Sequence, residues 1–267
     1  MDAASSGVIV IEWWQLAIAT GLMVLTGALS VALGLGVGKK LAIATARAYV
    51  QLLLLGLVLG WVFKQDNPLI VGAILLLMTG VAALTITRRS PDAPRGILGM
   101  SFFSMLVIGM FVTFTVTGVI VGVEPWYLPR YVIPIAGMVL GNSMNGIALA
   151  LERTFADLDA RSGEVLALTA LGATPWEAAA PSIRTALRAG MIPGINTLAA
   201  AGIVFIPGMM AGQILAGTDP LVAAPYQIVV MIMVATADVL GSMATVLLAY
   251  RKRFTAEGVF EERGFRV

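Results

Sequence analysis

The sequence predicts an all-α polytopic membrane protein with seven transmembrane helices and a cytoplasmic helical elbow. Two observations carry this prediction. The 267 residues are 59% hydrophobic and only 12% charged, whereas a soluble domain carries about 25% charged residues. Uncharged apolar runs of about 20 residues, long enough to cross a bilayer, also recur along the chain. These runs are continuously apolar rather than alternating, so they predict helices and exclude a β-barrel.

The spans follow one another with short connections except after the fifth. We expect them at 13–37, 41–63, 68–87, 96–123, 131–151, 191–215 and 221–250. The first opens on an interfacial tryptophan pair at Trp13. The second contains one charge, Arg47, and the seventh contains one, Asp238. Pro207 predicts a kink or break in the sixth span.

Lysine and arginine in the connections indicate the orientation. One set of alternating connections holds only Lys64 and Arg130. The other set holds most of the remaining basic residues: Lys39, Lys40, Arg88, Arg89, Arg95, Arg153, Arg161, Arg184, Arg188, Arg251, Lys252, Arg253, Arg263 and Arg266. The basic side is cytoplasmic by the positive-inside rule. The chain is thus predicted to be a single transmembrane domain, 1–267, in the inner (plasma) membrane, with its N-terminus outside and its C-terminus in the cytoplasm.

The connection 152–190 is long enough to hold structure outside the membrane. Ser162 is placed to cap a short helix, and Gly172 is placed to end it, because glycine favours the position just after a helix. This helix carries apolar residues at helical spacing: Val165, Leu168 and Leu171. We therefore expect a cytoplasmic helix with one apolar face.

A second helix is predicted immediately afterwards. Thr174 and Glu177 have the spacing of a capping box, and Pro175 occupies the first helical position. The two helices joined by a tight bend form an elbow that leads into the sixth span. On geometry alone, an ordinary helical loop packed on the membrane surface explains this segment equally well.

Two ionisable residues inside the spans require an explanation, because a charge at the bilayer centre costs about 2.5 to 3.5 kcal/mol on insertion scales. Asp238 lies roughly 20 Å from the cytoplasmic end of its helix, too deep to reach the headgroups. It either locks helices together through an ion pair or hydrogen bond, or faces a polar pathway. Arg47 lies about 10 Å deep, so a snorkelling anchor and a pathway role are both open.

Amide side chains supply further polar groups within the spans. Gln51 lies one turn beyond Arg47 on the same helical face, and Asn142 and Asn145 also lie one turn apart. Such polar stripes are rare on a lipid-facing helix. The candidate pathway residues are therefore Asp238, Asn142, Asn145, Gln51 and Arg47.

The composition also limits the chemistry. The chain has no cysteine and no histidine, which excludes thiol nucleophiles, imidazole bases and the usual zinc sites. No phosphate-binding G-x-x-x-x-G-K-[ST] motif is present, so the chain is not expected to bind ATP itself. Composition does not favour a nucleic-acid-binding module either. Any metal would have to be handled by oxygen, amide or thioether groups.

Several longer motifs resemble a known transporter family. The segment EVLALTALGATPWEA is similar to the cytoplasmic signature of ABC-transporter permeases, with Glu164 and Gly172 at the matching Glu and Gly, although their separation departs from the common importer pattern. Together with RAYVQLLLLG, PRYVIPIAGMVLGNSMNGIALALER and FIPGMMAGQILAG, it resembles the FetB-type iron-export permease family, which includes plant aluminium-resistance permeases. The resemblance extends from about the second span to the seventh.

The resemblance implies a permease without enzymatic activity of its own, which works as a homodimer with a separate cytosolic ABC ATPase. The partner subunit would bind ATP and Mg, and this chain would need no cofactor. Glu164, Gly172, Thr174, Pro175 and Glu177 would couple the two subunits. The cargo would be iron, with other metals or a sugar nucleotide open as alternatives, and it would leave the cytoplasm.

Two other functions are compatible with the sequence. A secondary transporter could use Asp238 as its proton or cation site, although no convincing internal repeat supports this. An intramembrane enzyme is less compatible, because Asp238 is the only acidic residue clearly within a span.

Overall fold

The computed structural model describes residues 11–65 and 67–261. This part of the chain is helical and contains no β-strand, only two isolated bridges. The helices are α1 Trp13–Ala32, α2 Gly38–Val62, α3 Pro68–Arg89, α4 Ile97–Phe114, α5 Pro129–Ala160, α6 Ser162–Ala170, α7 Pro175–Ala200, α8 Gly208–Leu215 and α9 Pro220–Ala249. A π-helical turn, Thr115–Ile120, extends α4, and a 3-10 turn, Tyr250–Arg253, follows α9. The all-helical prediction is confirmed.

Six helical stretches of the described chain are long and apolar enough to cross a membrane. They correspond to predicted spans one to five and seven. Local sequence explains where they begin: α3, for example, starts at Pro68 after Asn67, whose side chain accepts a hydrogen bond from the Leu69 amide at 2.9 Å. The count of seven membrane-spanning helices is not confirmed.

The predicted sixth span, 191–215, is not one helix. Its first half is the end of α7, which stops at Ala200, and its second half is α8, which begins at Gly208. The segment 201–207 between them is not helical. The break expected from Pro207 therefore exists: it is seven residues long and ends at Pro207, whose nitrogen cannot donate to a helical ladder.

The predicted connection 152–190 also differs in its boundaries. Helix α5 does not stop at Leu151 but continues to Ala160. Ser162 is the first residue of α6 rather than its cap, and the capping position belongs to Arg161. The apolar face is shorter than expected, because Val165 is buried whereas Leu171 is 86% exposed. The cytoplasmic location of this segment stays a prediction.

The described chain divides into two compact units. The first contains α1, α2 and residues 212–219. Its two long helices are joined by a turn at Gly34 and Gly36, both with positive φ. The Tyr49 hydroxyl lies 2.6 Å from the hydroxyl of Thr20 and donates to the Leu16 carbonyl at 3.1 Å.

The second unit contains residues 67–211 and the described residues from 220 onward. Helix α5 lies at its centre and packs against α3, α4, α7 and α9. The largest buried side chains, including Phe155, Leu151 and Ile147, come mainly from α5. The described residues do not include 1–10. They also do not include Arg263 and Arg266, two of the basic residues that predicted the orientation.

Candidate functional site

A cavity of about 500 Å³ lies within the second unit, between α5, α7 and α9. The end of the 201–207 segment and the start of α8 also line it. Its lining is mainly apolar, with five polar side chains: Asn142, Asn145, Thr197, Gln227 and Asp238. The cavity therefore has the size and composition of a small-molecule site, in which a few polar groups orient a ligand.

Asp238 is the only ionisable residue in this lining. Its side chain is buried, with 8% of the residue exposed, and its Oδ1 has no hydrogen-bond partner. A methyl group built at Gly146 of α5 would lie 1.8 Å from that oxygen, and one at Gly194 of α7 would lie 3.1 Å from Oδ2. Two glycines thus make the space that the carboxylate occupies.

Three other polar side chains of the lining each donate one hydrogen bond to the backbone. Asn142 Nδ2 donates to the Met138 carbonyl at 2.7 Å, and Asn145 Nδ2 donates to the Gly141 carbonyl at 3.2 Å. Thr197 Oγ1 donates to the Pro193 carbonyl at 2.9 Å. Thr197 therefore offers a ligand its acceptor oxygen, whereas each asparagine amide keeps a second N–H that no hydrogen bond to the backbone uses.

The oxygen of Asn145 already has a partner within the protein. Arg89, at the end of α3, donates to Asn145 Oδ1 at 2.5 Å. Next to it, Ser90 Oγ donates to the Ala148 carbonyl at 3.2 Å. Asn145 therefore links α5 to α3, and it is less available to a ligand than Asn142.

Gln227 of α9 lines the cavity and contacts the start of α8. Its Oε1 accepts a hydrogen bond at 3.1 Å from the Met210 amide, in the first turn of α8. The first amides of a helix have no partner within the helix, so this bond explains how α8 can begin in the middle of an apolar segment. Gln227 fixes the position of the broken segment against α9.

No group of three His, Cys, Asp or Glu side chains that could hold a metal ion occurs in residues 11–65 and 67–261. The thioethers of Met138, Met209 and Met231 do line the cavity. Methionine in an apolar setting is mostly adaptable packing. The donor set near Asp238 is thus one carboxylate with amide, hydroxyl and thioether groups.

A second cavity of about 480 Å³ adjoins the first along α5 and α7. Leu149 and Pro193 line both cavities. The second cavity carries the charged residues Arg153 and Asp157, near the end of α5 that leads to α6. The two cavities together follow α5 and α7 from Asp238 toward the elbow.

The elbow, residues 161–177, is held together by polar contacts. Arg161 donates from Nε and Nη2 to the two oxygens of Glu164, at 2.9 and 2.5 Å, and from Nη1 to the buried Ser182 Oγ at 2.9 Å. Asp157 lies 3.7 Å from the same guanidinium. Arg161 thus connects the end of α5, the first turn of α6 and α7.

The predicted cap of α7 is present in full. Thr174 Oγ1 accepts from the Glu177 amide at 3.3 Å, and Glu177 Oε2 accepts from the Thr174 amide at 2.8 Å. Pro175 is the first helical residue, and Gly172 has φ +92°, the left-handed conformation that glycine adopts most easily. The hydrogen bond from the Thr174 amide lowers the pKa of Glu177, and the Arg161 hydrogen bonds lower the pKa of Glu164.

The C-terminal residues 250–260 pack on the same region. The Tyr250 and Trp176 rings lie 5.9 Å apart, centroid to centroid. Arg253 is buried, forms an ion pair with Asp159, and lies 5.2 Å from the centroid of the Phe260 ring. The tail therefore supports the elbow from the side of α5 and α7.

The structure brings three of the five predicted pathway residues, Asp238, Asn142 and Asn145, to one cavity. Arg47 and Gln51 lie on α2 in the first unit, with exposed side chains, and their role stays a prediction. Sequence reasoning missed Gly146, Gly194, Thr197, Gln227 and Arg89. Gln227 and Thr197 carried a signal, because both are polar residues within predicted spans.

Comparison with known proteins places this architecture in a family. A family model described as "Uncharacterised protein family (UPF0014)" matches residues 13–254. The chain belongs to the UPF0014 family. Its relatives within UPF0014 include the UPF0014 membrane protein slr1647 of Synechocystis, 34% identical over 244 residues, which are 91% of this chain and 94% of that protein.

Two further relatives carry functional names. The probable iron export permease protein FetB of Escherichia coli is 32% identical over 91% of this chain and 92% of its own length. The protein ALUMINUM SENSITIVE 3 of Arabidopsis thaliana is 32% identical over 85% of this chain and 82% of its own length. No solved structure gives a significant match. The resemblance to iron-export and aluminium-resistance permeases is confirmed, and the UPF0014 chain described here is a membrane protein.

Proposed function

We propose that this chain is the membrane subunit of an ABC exporter, energised by a separate cytosolic ATPase that binds ATP and Mg. The name of the FetB relative, which overlaps nearly the whole chain, supports export of iron or of another metal or small solute. Two copies of the chain would form the transport unit in the inner (plasma) membrane. The N-terminus would lie outside and the C-terminus in the cytoplasm.

One observation carries this proposal: a single helix, α7, connects the capped elbow to the cavity. It begins at the Thr174 cap and reaches the cavity at Gly190, Pro193 and Gly194. A displacement of the elbow would therefore be transmitted to the space around Asp238. In this proposal, ATP binding by the partner moves the elbow, and α7 changes access to the cavity.

The broken segment fits the same proposal. Irregular backbone at membrane depth is tolerated where it lines a cavity rather than facing lipid, and Phe205 and Pro207 of the segment line this one. We propose that the end of α7, the segment 201–207 and α8 together make the sixth of seven crossings, as a discontinuous span. This would keep the two termini on opposite sides.

The elbow also offers a contact for the ATPase. Leu171 is 86% exposed at the tip, beside Gly172, and Trp176 is 42% exposed in the first turn of α7. An exposed apolar side chain at a rigid tip suits insertion into a groove of a partner. Glu164 and Glu177, which stabilise the elbow, would act as positioning residues for this contact.

The experiment is to purify the permease with ABC ATPase subunits from the same organism, reconstitute both in lipid vesicles, and measure ATP turnover. We expect the permease to bind one ATPase and to stimulate its turnover. Leu171→Glu should abolish stimulation while thermal unfolding stays unchanged. Glu152→Gln, at an exposed position of α5 outside the elbow and outside both cavities, is the control. A folded permease that binds no ATPase subunit contradicts the proposal.

A secondary transporter is the second candidate, and the unpartnered Oδ1 of Asp238 in the cavity favours it. In that case, a proton or cation gradient would drive transport through Asp238. Transport that survives ATP depletion but collapses with the proton gradient would support this candidate against the exporter.

A further inference from the structure

The cavity around Asp238 provides acceptor oxygens, the amide groups of Asn142 and Gln227, and a single negative charge. Asp238 supplies an unpartnered, buried carboxylate oxygen. The Thr197 hydroxyl hydrogen and one amide hydrogen of Asn142 are bound to backbone carbonyls, and the oxygens of both side chains remain for a ligand. A ligand complementary to this arrangement carries hydrogen-bond donors and a positive charge.

The rest of the lining is apolar. Met138, Leu149, Leu198, Phe205, Val230 and Val234 all line the cavity. Its volume of about 500 Å³ lies within the range of sites for drug-sized molecules, about 300 to 1,000 Å³. A bare metal ion would leave most of this space and most of this apolar surface unfilled.

The charge balance also disfavours a bare multivalent metal ion. One carboxylate neutralises one positive charge, and no group of three acidic, histidine or cysteine side chains occurs in the described chain. Hard cations such as Mg²⁺ and Ca²⁺ take six or more oxygen ligands. Arg89 donates to Asn145 of the lining, and its positive charge repels a multivalent ion more strongly than a monovalent one.

We propose that this cavity binds an amphipathic organic cation. Its ammonium group would donate to Asp238, Asn142 and Thr197, and its apolar body would lie along the methionine and aliphatic side chains. This inference rests on the proposed transport function and gives its substrate class. Gly146 and Gly194 would be positioning residues, because they leave room for the carboxylate.

The test uses the full chain in lipid nanodiscs and isothermal titration calorimetry, with empty nanodiscs as the blank. The probes are phenylbutylammonium, its uncharged analogue phenylbutanol, and ferrous ion alone under reducing conditions. We expect the ammonium to bind about tenfold or more tightly than the alcohol, which is the size of the smaller coupling energies measured for close charge pairs. Asp238→Asn should remove this preference and leave alcohol binding unchanged.

Two further variants test the binding of an ammonium in this cavity if Asp238→Asn does not fold. Thr197→Val preserves shape but removes an acceptor, and it should weaken ammonium binding more than alcohol binding. Glu152→Gln, at an exposed position of α5 outside the cavity, should change neither. Equal affinity for the two probes, or a preference untouched by both cavity variants, overturns the inference. So does saturable, Asp238-dependent binding of ferrous ion with no binding of the ammonium.

Binding is measured here without an ATPase, which separates the two proposals. A permease that prefers the ammonium but stimulates no ATPase would overturn only the proposed exporter function. A permease that stimulates an ATPase but shows no preference for the ammonium would overturn only the substrate class.

Discussion

The elbow and the cavity treat polar groups in opposite ways. In the elbow, Arg161 uses three of its nitrogens on Glu164 and Ser182, and Thr174 and Glu177 satisfy each other. In the cavity, Asp238 keeps a buried oxygen without a partner. Unmade hydrogen bonds of buried groups are costly. This difference is what we expect if the elbow is rigid and the cavity, as proposed above, receives a ligand.

The two regions also use glycine for different purposes. Gly172 supplies a left-handed backbone conformation with nothing within 4 Å of a methyl group built on it, whereas Gly146 supplies space for Asp238. A substitution at Gly172 therefore strains the backbone, while one at Gly146 displaces a side chain.

The largest effect is expected for Gly146→Ala. The new methyl group would overlap Asp238 Oδ1, so the carboxylate has to leave its position, at a cost of about 1–3 kcal/mol for overpacking. Transport should fall about tenfold or more. Gly141→Ala is the matched control, because this glycine lies on the same helix with nothing within 4 Å. Vesicle transport and thermal unfolding measure both; normal transport by a folded Gly146→Ala protein would show that the site of Asp238 is not part of the pathway.

A smaller effect on stability is expected for Gly172→Ala. Alanine in the left-handed conformation costs about 1–2 kcal/mol, and the bend between α6 and α7 should change rather than the cavity. ATPase stimulation should be lost while probe binding in the cavity persists. Gly163→Ala, in the first turn of α6 with nothing within 4 Å, is the control. Loss of probe binding together with stimulation would show that the elbow and the cavity are not separable in this way.

The smallest effect is the response of the elbow to acid. Hydrogen bonds hold the pKa values of Glu164 and Glu177 below their usual value of 4.5. Because the folded-state pKa values are depressed, the stabilisation is fully present above about pH 4.5. It is lost as the pH falls through the lower, folded-state values. Both groups are exposed, so the change should be local rather than global.

Hydrogen exchange of the α6 and α7 first-turn amides measures this response. Exchange, corrected for its intrinsic pH dependence, should rise as the pH falls below 4.5. Glu177→Gln should remove the part of the response at the start of α7. Amides of α9 near Asp238 serve as the reference region, and an equal response there would mean that acid loosens the whole second unit.

Much of the elbow was predictable because its determinants are local. A threonine, a proline and a glutamate at fixed spacing are enough to start α7, and a glycine is enough to end the preceding turn. The side chain that unites the elbow was not predictable as such. From the sequence, Arg161 is recognisable only as a basic residue. Its partner Ser182 is distant along the chain, and their contact requires α5 and α7 to be packed together.

The contacts in the cavity were less predictable from the sequence than those in the elbow. The residues Asp238, Asn142 and Asn145 stood out because polar groups are rare in apolar spans. The sequence did not predict what each of them contacts. Asn145 accepts a hydrogen bond from Arg89, Asn142 donates to the Met138 carbonyl, and Asp238 lies against Gly146. Each outcome depends on which helix faces which.

The sequence by itself determined that this chain is a helical membrane protein, where most of its helices begin, and how α7 is capped. These properties depend on composition, hydrophobic length and contacts within one turn. Only the tertiary structure decided that the segment 191–215 is broken, that Gln227 holds α8 in place, and that Asp238 faces a cavity with a free oxygen. The physical reason is that these features are contacts between helices far apart in the chain, and no local pattern specifies their partners.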